Sequence, residues 1–160
     1  RSAADAIVAQ NEHLVALDGT VTAAEEEELD RVRRLAAKIR SLDIADDEVV
    51  YLGGDEYWRS LKAYDPVATA ASLDLPRLVC QGGRDFQVTV ADDFSRLQTA
   101  LDDDAAVSFE RYPSLNHLFM PGNGPSSMTE YTTENHVAES VVTDLAAFCE
   151  RVTDSPGTAR

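Results

Sequence analysis

Apolar residues recur every three or four positions over much of the first 65 residues, the spacing that places them on one face of a helix. This spacing predicts helices at about 3–17, 22–42 and 55–63. The second has the clearest start, because Thr22 stands three residues before Glu25 and the two can form a capping box. Since no clear strand pattern interrupts these helices, the first part of the chain is predicted to be helical.

The pattern changes after residue 75. Short apolar runs at about 77–81 and 106–112 predict strands, and helical spacing returns at about 92–101 and 135–152. Strands that alternate with helices in this way are typical of a parallel sheet. The second part is therefore predicted to be a βαβα unit of an α/β fold, with two parallel strands and flanking helices.

These patterns divide the chain into a helical segment at 1–65, the βαβα unit at 66–152 and a flexible tail at 153–160. Two strands are too few to form a stable open sheet. We therefore expect the chain to be part of a larger fold, or to complete its sheet with another copy as a homo-oligomer. A monomeric mass by light scattering would exclude the homo-oligomer.

The charge of the chain narrows its possible partners. Asp and Glu total 29, Lys and Arg total 14, and the formal net charge is −15. Such a chain is repelled by nucleic-acid phosphates and by anionic lipid, so neither a nucleic acid nor a membrane is expected as a partner. The only lysines are Lys38 and Lys62, and many Asp with few Lys are typical of salt-adapted proteins, in which salt screens the repulsion. An ordinary acidic protein is the alternative, and a melting temperature independent of salt up to molar levels would favour it.

Cysteine and histidine spacings give no sign of a metal or a cofactor, and none is predicted. Cys80 and Cys149 lie in apolar runs and are predicted to be free, buried thiols. The sequence has no Cys-x-x-Cys pair, no metal-ligand spacing among its histidines and no calcium-loop pattern. No stretch is apolar enough to span a bilayer and no signal peptide is visible, so a cytoplasmic protein is expected.

Two residues that could take part in catalysis follow the two predicted strands. Asp85 comes four residues after the first strand, and His117 about five residues after the second. Parallel strands end at one edge of a sheet and lie about 4.8 Å apart, so the two side chains could form a hydrogen bond there. A carboxylate on one imidazole nitrogen leaves the other nitrogen free to take a proton from a nucleophile. The alternative is a loop-stabilising aspartate beside a histidine whose hydrogen bonds are satisfied.

The sequence around both residues resembles α/β-hydrolases. Leu75–Val88 is similar to the strand and turn that carry the triad acid, with Asp85 last in Gly-x-x-Asp, and Tyr112–Phe119 is similar to the loop that carries the triad histidine. Pro121–Ser126, with Tyr131 and the last helix, resembles esterase-like members related to dienelactone hydrolases and serine peptidases. The chain thus resembles the C-terminal portion of such an enzyme, and its first part resembles the helical cap inserted before this strand.

The resemblance implies a serine hydrolase that cleaves a carboxylic ester or a related acyl bond of a small substrate, with Asp85 as acid and His117 as base. A serine peptidase of the same fold is an alternative. Several apolar and aromatic residues are candidates for an acyl pocket, although packing in the core explains each of them equally well. They are Phe86, Phe119, Met120, Tyr131 and Trp58.

One part of the family pattern is missing. The nucleophile of α/β-hydrolases lies in a Gly-x-Ser-x-Gly elbow upstream of the cap, and none of the 11 serines in this sequence has glycines at both positions. Loss of the nucleophile costs about a million-fold in the rate of other triad enzymes, so this chain alone is expected to be essentially inactive. A non-catalytic module derived from a hydrolase, which self-associates or binds a partner, is therefore the second hypothesis.

Overall fold

The computed structural model describes residues 1–154, which form two compact units, Arg1–Ala70 and the residues from Ala71 onward. The helices are α1 (Ala3–Val15), α2 (Ala23–Ser41), α3 (Asp55–Ala63), α4 (Pro66–Ala71), α5 (Ser95–Leu101) and α6 (Glu139–Asp154), and the strands are β1 (Arg77–Gly82) and β2 (Val107–Tyr112). The predicted flexible tail lies outside the described residues, except for Thr153 and Asp154, which end α6.

Helices α1 and α2 pack against each other in the first unit, and α2 begins where the sequence predicts. Thr22 accepts a hydrogen bond from the Glu25 backbone N–H at 3.3 Å, and the Glu25 carboxylate accepts one from the Thr22 N–H at 2.8 Å. These two bonds satisfy N–H groups that the first turn of a helix leaves without partners. The predicted capping box is confirmed.

Trp58 belongs to the core of the first unit. Its side chain is 3% exposed, and its indole N–H lies 3.0 Å from the backbone oxygens of Val50 and Gly53. It belongs to a cluster with buried residues of α1, of α2 and of the segment between α2 and α3; they are Ala4, Ile7, Ala36, Ile39, Ile44 and Val50. Of the two interpretations of Trp58, the structure supports core packing.

The second unit contains the two predicted strands, which pair in parallel from Arg77 opposite Val107 to Gly82 opposite Tyr112. The helical connection between them begins at Val90, two residues earlier than predicted. The Phe94 N–H reaches back to the Thr89 oxygen at 3.1 Å, which makes Val90–Phe94 a π-helical turn that continues into α5. The predicted α/β arrangement, two parallel strands with flanking helices, is confirmed.

The last helix begins at Glu139, four residues later than predicted. The preceding backbone is held by a loop instead: Ala138 N–H donates to the Phe119 oxygen at 2.9 Å, and the Asn135 side chain donates to the Pro121 oxygen at 3.0 Å. The apolar residues at helical spacing in 135–152 are also not all buried. Val141 is buried, whereas the side chains of Val137 and Leu145 are half exposed.

Cys80 and Cys149 are both free thiols, but only one of them is shielded from solvent. Cys80 is partly buried in β1, and this burial raises the pKa of its thiol. Cys149 is exposed on α6, so the prediction of a buried thiol is wrong there.

Within residues 1–154, no helix has both the length and the apolar character needed to cross a bilayer.

Candidate active site

The backbones that follow β1 and β2 approach each other very closely. Gly83 N–H donates to the Tyr112 oxygen at 2.8 Å, which continues the pairing beyond β1. A Cβ atom on Gly82 would lie 2.4 Å from the Asn116 backbone oxygen, and one on Gly83 would lie 2.6 Å from Pro113. The glycine pair thus has a steric cause: only residues without a side chain allow the two loops to meet here.

Asp85 and His117, which the sequence predicts to meet at this edge of the sheet, lie in direct contact. His117 Nδ1 is 2.8 Å from Asp85 Oδ2. The Asp85 side chain is 6% exposed and the His117 side chain 35%. The carboxylate is therefore shielded from water, while one side of the imidazole reaches the surface.

The turn that follows β1 fixes the orientation of the Asp85 carboxylate. Its Oδ1 atom accepts hydrogen bonds from the backbone N–H groups of Gln87 and Val88, at 2.8 and 2.9 Å. The Gln81 side-chain amide donates to the Val88 oxygen at 2.8 Å and lies 3.4 Å from Asp85 Oδ2. A buried carboxylate needs such donors, and they leave it little freedom to turn away from the histidine.

The contact with Asp85 also determines the tautomer of His117. An ionised carboxylate can only accept hydrogen bonds, so the proton of the neutral imidazole lies on Nδ1. Nε2 then carries the lone pair, and it has no hydrogen bond to any residue between 1 and 154. The ring thus presents a basic nitrogen at the surface, in the arrangement that general-base catalysis requires.

A second carboxylate, Glu130, binds side chains from both loops. It forms an ion pair with Arg84, and its Oε2 atom accepts from Asn116 and from Ser126, both at 2.9 Å. Burial raises the pKa of the Glu130 carboxyl, but the hydrogen bonds from these three residues lower it by more, so this pKa lies below its ordinary value. Sequence reasoning missed this cluster, because nothing in the local pattern of residues 126–134 indicates a partly buried carboxylate.

Asn116 holds the loop that carries His117 in shape. Its side chain is fully buried, and its Oδ1 atom accepts from the backbone N–H groups of Leu118 and Met120, at 3.0 and 3.1 Å. The loop is tight enough to force Phe119 to a φ of 56°, in the left-handed region that few residues other than glycine adopt. The backbone on both sides of His117 is therefore fixed by hydrogen bonds to the side chain of the preceding residue, Asn116.

The other predicted pocket residues lie in different surroundings. Phe86 and Met120 are buried, at 5% and 8% exposure. Phe119 and Tyr131 are partly buried, and the Tyr131 hydroxyl is 2.9 Å from the Gln87 side-chain amide. Tyr131 therefore reaches the turn that holds Asp85.

In the part of the chain that the structure describes, no group of three or more His, Cys, Asp or Glu side chains could hold a metal ion.

Comparison with known proteins reveals a similarity to an esterase. The chain is 33% identical to Esterase EstD of Thermotoga maritima over 111 residues, which are 69% of this chain and 27% of that protein. The matched region thus spans about a quarter of the length of this relative. No protein-family model matches the chain, and no match to a solved structure was found. The similarity supports a relationship with esterase-like hydrolases.

Proposed function

We propose that this chain supplies the acid and the base of a Ser-His-Asp triad in an ester hydrolase, with Asp85 as acid and His117 as base. The observation that carries the proposal is the 2.8 Å contact between His117 Nδ1 and the buried carboxylate of Asp85. The similarity to an esterase favours ester cleavage over peptide cleavage. A small ester of a carboxylic acid is the proposed substrate class.

Each residue has a defined role in the proposed reaction. His117 Nε2 takes the proton from a serine hydroxyl as its oxygen attacks the acyl carbon, and then gives that proton to the leaving alcohol. Asp85 stabilises the imidazolium that forms between these two transfers. In the second half of the cycle His117 takes a proton from a water molecule as it attacks the acyl-enzyme. His117 then returns that proton to the serine oxygen as the acyl–oxygen bond breaks and the acid product leaves.

The proposed nucleophile lies outside these 160 residues. None of the 11 serines of this chain stands in a Gly-x-Ser-x-Gly elbow. Ser126, on the loop after His117, is 1% exposed, so a substrate cannot reach it. Its hydroxyl group donates a hydrogen bond to Glu130 and is therefore not directed to the histidine. The matched relative is much longer than the region of similarity, which is compatible with an elbow elsewhere in the polypeptide.

Covalent labelling tests this proposal. A fluorophosphonate reacts with a serine that a neighbouring base has activated, and mass spectrometry identifies the labelled residue. In the complete gene product that contains this chain, we expect label on one serine outside the 160 residues, and its loss in His117→Ala. His136→Ala is the matched control, because His136 is exposed before α6 and is not among the hydrogen-bond partners of the Asp85 carboxylate.

The same experiment separates the proposal from a non-catalytic role. Absence of label in the complete gene product would favour a module that binds a partner or self-associates. Label on one of the 11 serines of this chain would place the nucleophile where the proposal excludes it.

A further inference from the structure

Glu130 connects the two loops that carry Asp85 and His117. Its partners include Arg84 and Asn116, and these two residues immediately precede Asp85 and His117 in the chain. One carboxylate thus binds the sequence neighbour of the proposed acid and the sequence neighbour of the proposed base. Arg84 and Glu130 are 46 residues apart, so the contact ties together distant parts of the second unit.

We propose that Glu130 is a positioning residue that clamps the Asp85 loop to the His117 loop and so maintains the contact between the two side chains. Its importance for catalysis rests on the proposed function, but the clamp itself can be tested without a substrate. Adjacent Cα atoms are about 3.8 Å apart, so a shift of Arg84 or Asn116 moves the following residue directly.

The surroundings of Arg84 make the clamp rigid. The Arg84 side chain is 9% exposed, and its Nε–H also donates to the Gly124 oxygen at 2.8 Å. A guanidinium that is this shielded requires an anion, because burying an unpaired charge is strongly unfavourable. Gly122 lies directly against the same group, since a Cβ on Gly122 would be 2.1 Å from Arg84 Nη1. The arginine therefore has little space in which to find another partner.

The charge of Glu130 is as important as its position. Three donors converge on its carboxylate, from Arg84, Asn116 and Ser126. A glutamine at this site has only one oxygen that can accept hydrogen bonds. Its amide nitrogen can only donate, so it cannot pair with the donor groups that surround Glu130. Glu130→Gln thus preserves the size of the side chain but removes the clamp.

A second ion pair in the same unit provides a matched control. Arg77, the first residue of β1, pairs with Asp104. Arg77 and Asp104 are 10% and 34% exposed, close to the 9% and 23% of Arg84 and Glu130. This pair lies at the opposite end of β1 from Asp85, so Asp104→Asn breaks a similar ion pair that does not touch either loop.

The experiment measures the Nδ1 proton of His117 by NMR in the complete gene product that contains this chain. A proton between an imidazole and a carboxylate gives a strongly deshielded resonance, and its exchange with water reports how often the contact opens. We expect Asp85→Asn to abolish the resonance. Glu130→Gln should accelerate the exchange by about tenfold, the size of coupling found within one hydrogen-bond network. Asp104→Asn should leave the exchange rate as in the wild type.

The outcomes separate the two proposals. Exchange in Glu130→Gln as slow as in the wild type overturns the clamp, and so does equal acceleration by Asp104→Asn, which would indicate general destabilisation. A wild-type spectrum without a resonance that depends on Asp85 overturns the Asp85–His117 contact itself, and with it both proposals. Because glutamine keeps the volume of the side chain, Glu130→Gln leaves no cavity that could unfold this region.

Discussion

The two oxygens of the Asp85 carboxylate have different roles. Oδ1 accepts from the backbone N–H groups of residues two and three positions later, which is the ordinary turn of an aspartate after a strand. Asp65 forms the same turn with Val67 and Ala68, at 3.0 Å each, and no histidine is involved. Loop stabilisation thus explains one oxygen of Asp85, whereas the contact of Oδ2 with His117 requires a second explanation, for which we propose catalysis.

The depressed pKa of Glu130 makes stability depend on pH in a defined direction. Because its pKa lies below the ordinary value of 4.5, ionised Glu130 stabilises the fold above that pH, and this contribution is lost as the pH falls through the folded-state pKa. Glu130→Gln should therefore lower the free energy of unfolding by about 2 kcal/mol at pH 7, the scale of a hydrogen bond to a charged group. Urea titrations below pH 4.5 should show a smaller difference.

Glu134→Gln, at an exposed position four residues after Glu130, is the control and should have the stability of the wild type at pH 7. A difference between Glu130→Gln and the wild type that stays constant from neutral to acidic pH would show that the charge of Glu130 does not contribute.

The parts of the site that the sequence predicts are those governed by topology. Asp85 and His117 follow two adjacent parallel strands, and the strand ends alone bring them to one edge. Glu130 follows no strand, and its pairing with Arg84 depends on the path of a loop across 46 residues. Such a path is determined by tertiary packing, which no short pattern in the sequence encodes.

At the junction between the two strands, the atoms closest to a Cβ on either glycine belong to the backbone and cannot rotate away. Gly82→Ala would place a Cβ 2.4 Å from the Asn116 oxygen, which forces the two loops apart. We expect a loss of about 2 kcal/mol in the free energy of unfolding, as is typical when a packed site is overfilled. Urea denaturation of the complete gene product that contains this chain measures the difference.

Gly54→Ala is the matched control, because the nearest atom to its Cβ is 3.5 Å away and its φ is −83°. Gly54→Ala should change the free energy of unfolding by about 0.5 kcal/mol at most. Equal stability of Gly82→Ala and the wild type would mean that the loops do not approach as closely as described.

Elements with strong local signals agree with their predictions, whereas the start of α6, which depends on a tertiary contact, does not. Helix α2 starts at its capping box, and α3 has the bounds that the sequence predicts. The start of α6 was predicted too early, because Ala138 bonds to the distant Phe119 oxygen instead of continuing the helix. Helical spacing in the sequence cannot detect that competing partner.

At the scale of the whole molecule, many apolar side chains remain exposed. On α6, Val142 is 56% and Leu145 45% exposed. The two strands of the sheet therefore leave part of the apolar face of this helix uncovered. Homo-oligomerisation and adaptation to salt remain predictions, the second resting on the net charge of −15.

The central claim is that Asp85 and His117 are the acid and the base of an ester hydrolase. The most direct measurement is kcat/KM for a chromogenic ester, using the complete gene product and its single-site variants. We predict a loss of about 10⁴-fold for Asp85→Asn and about a million-fold for His117→Ala. Asp65→Asn alters a turn with the same backbone hydrogen bonds as the Asp85 turn but without a histidine, and it should retain wild-type activity. Wild-type turnover in Asp85→Asn or in His117→Ala would contradict the account.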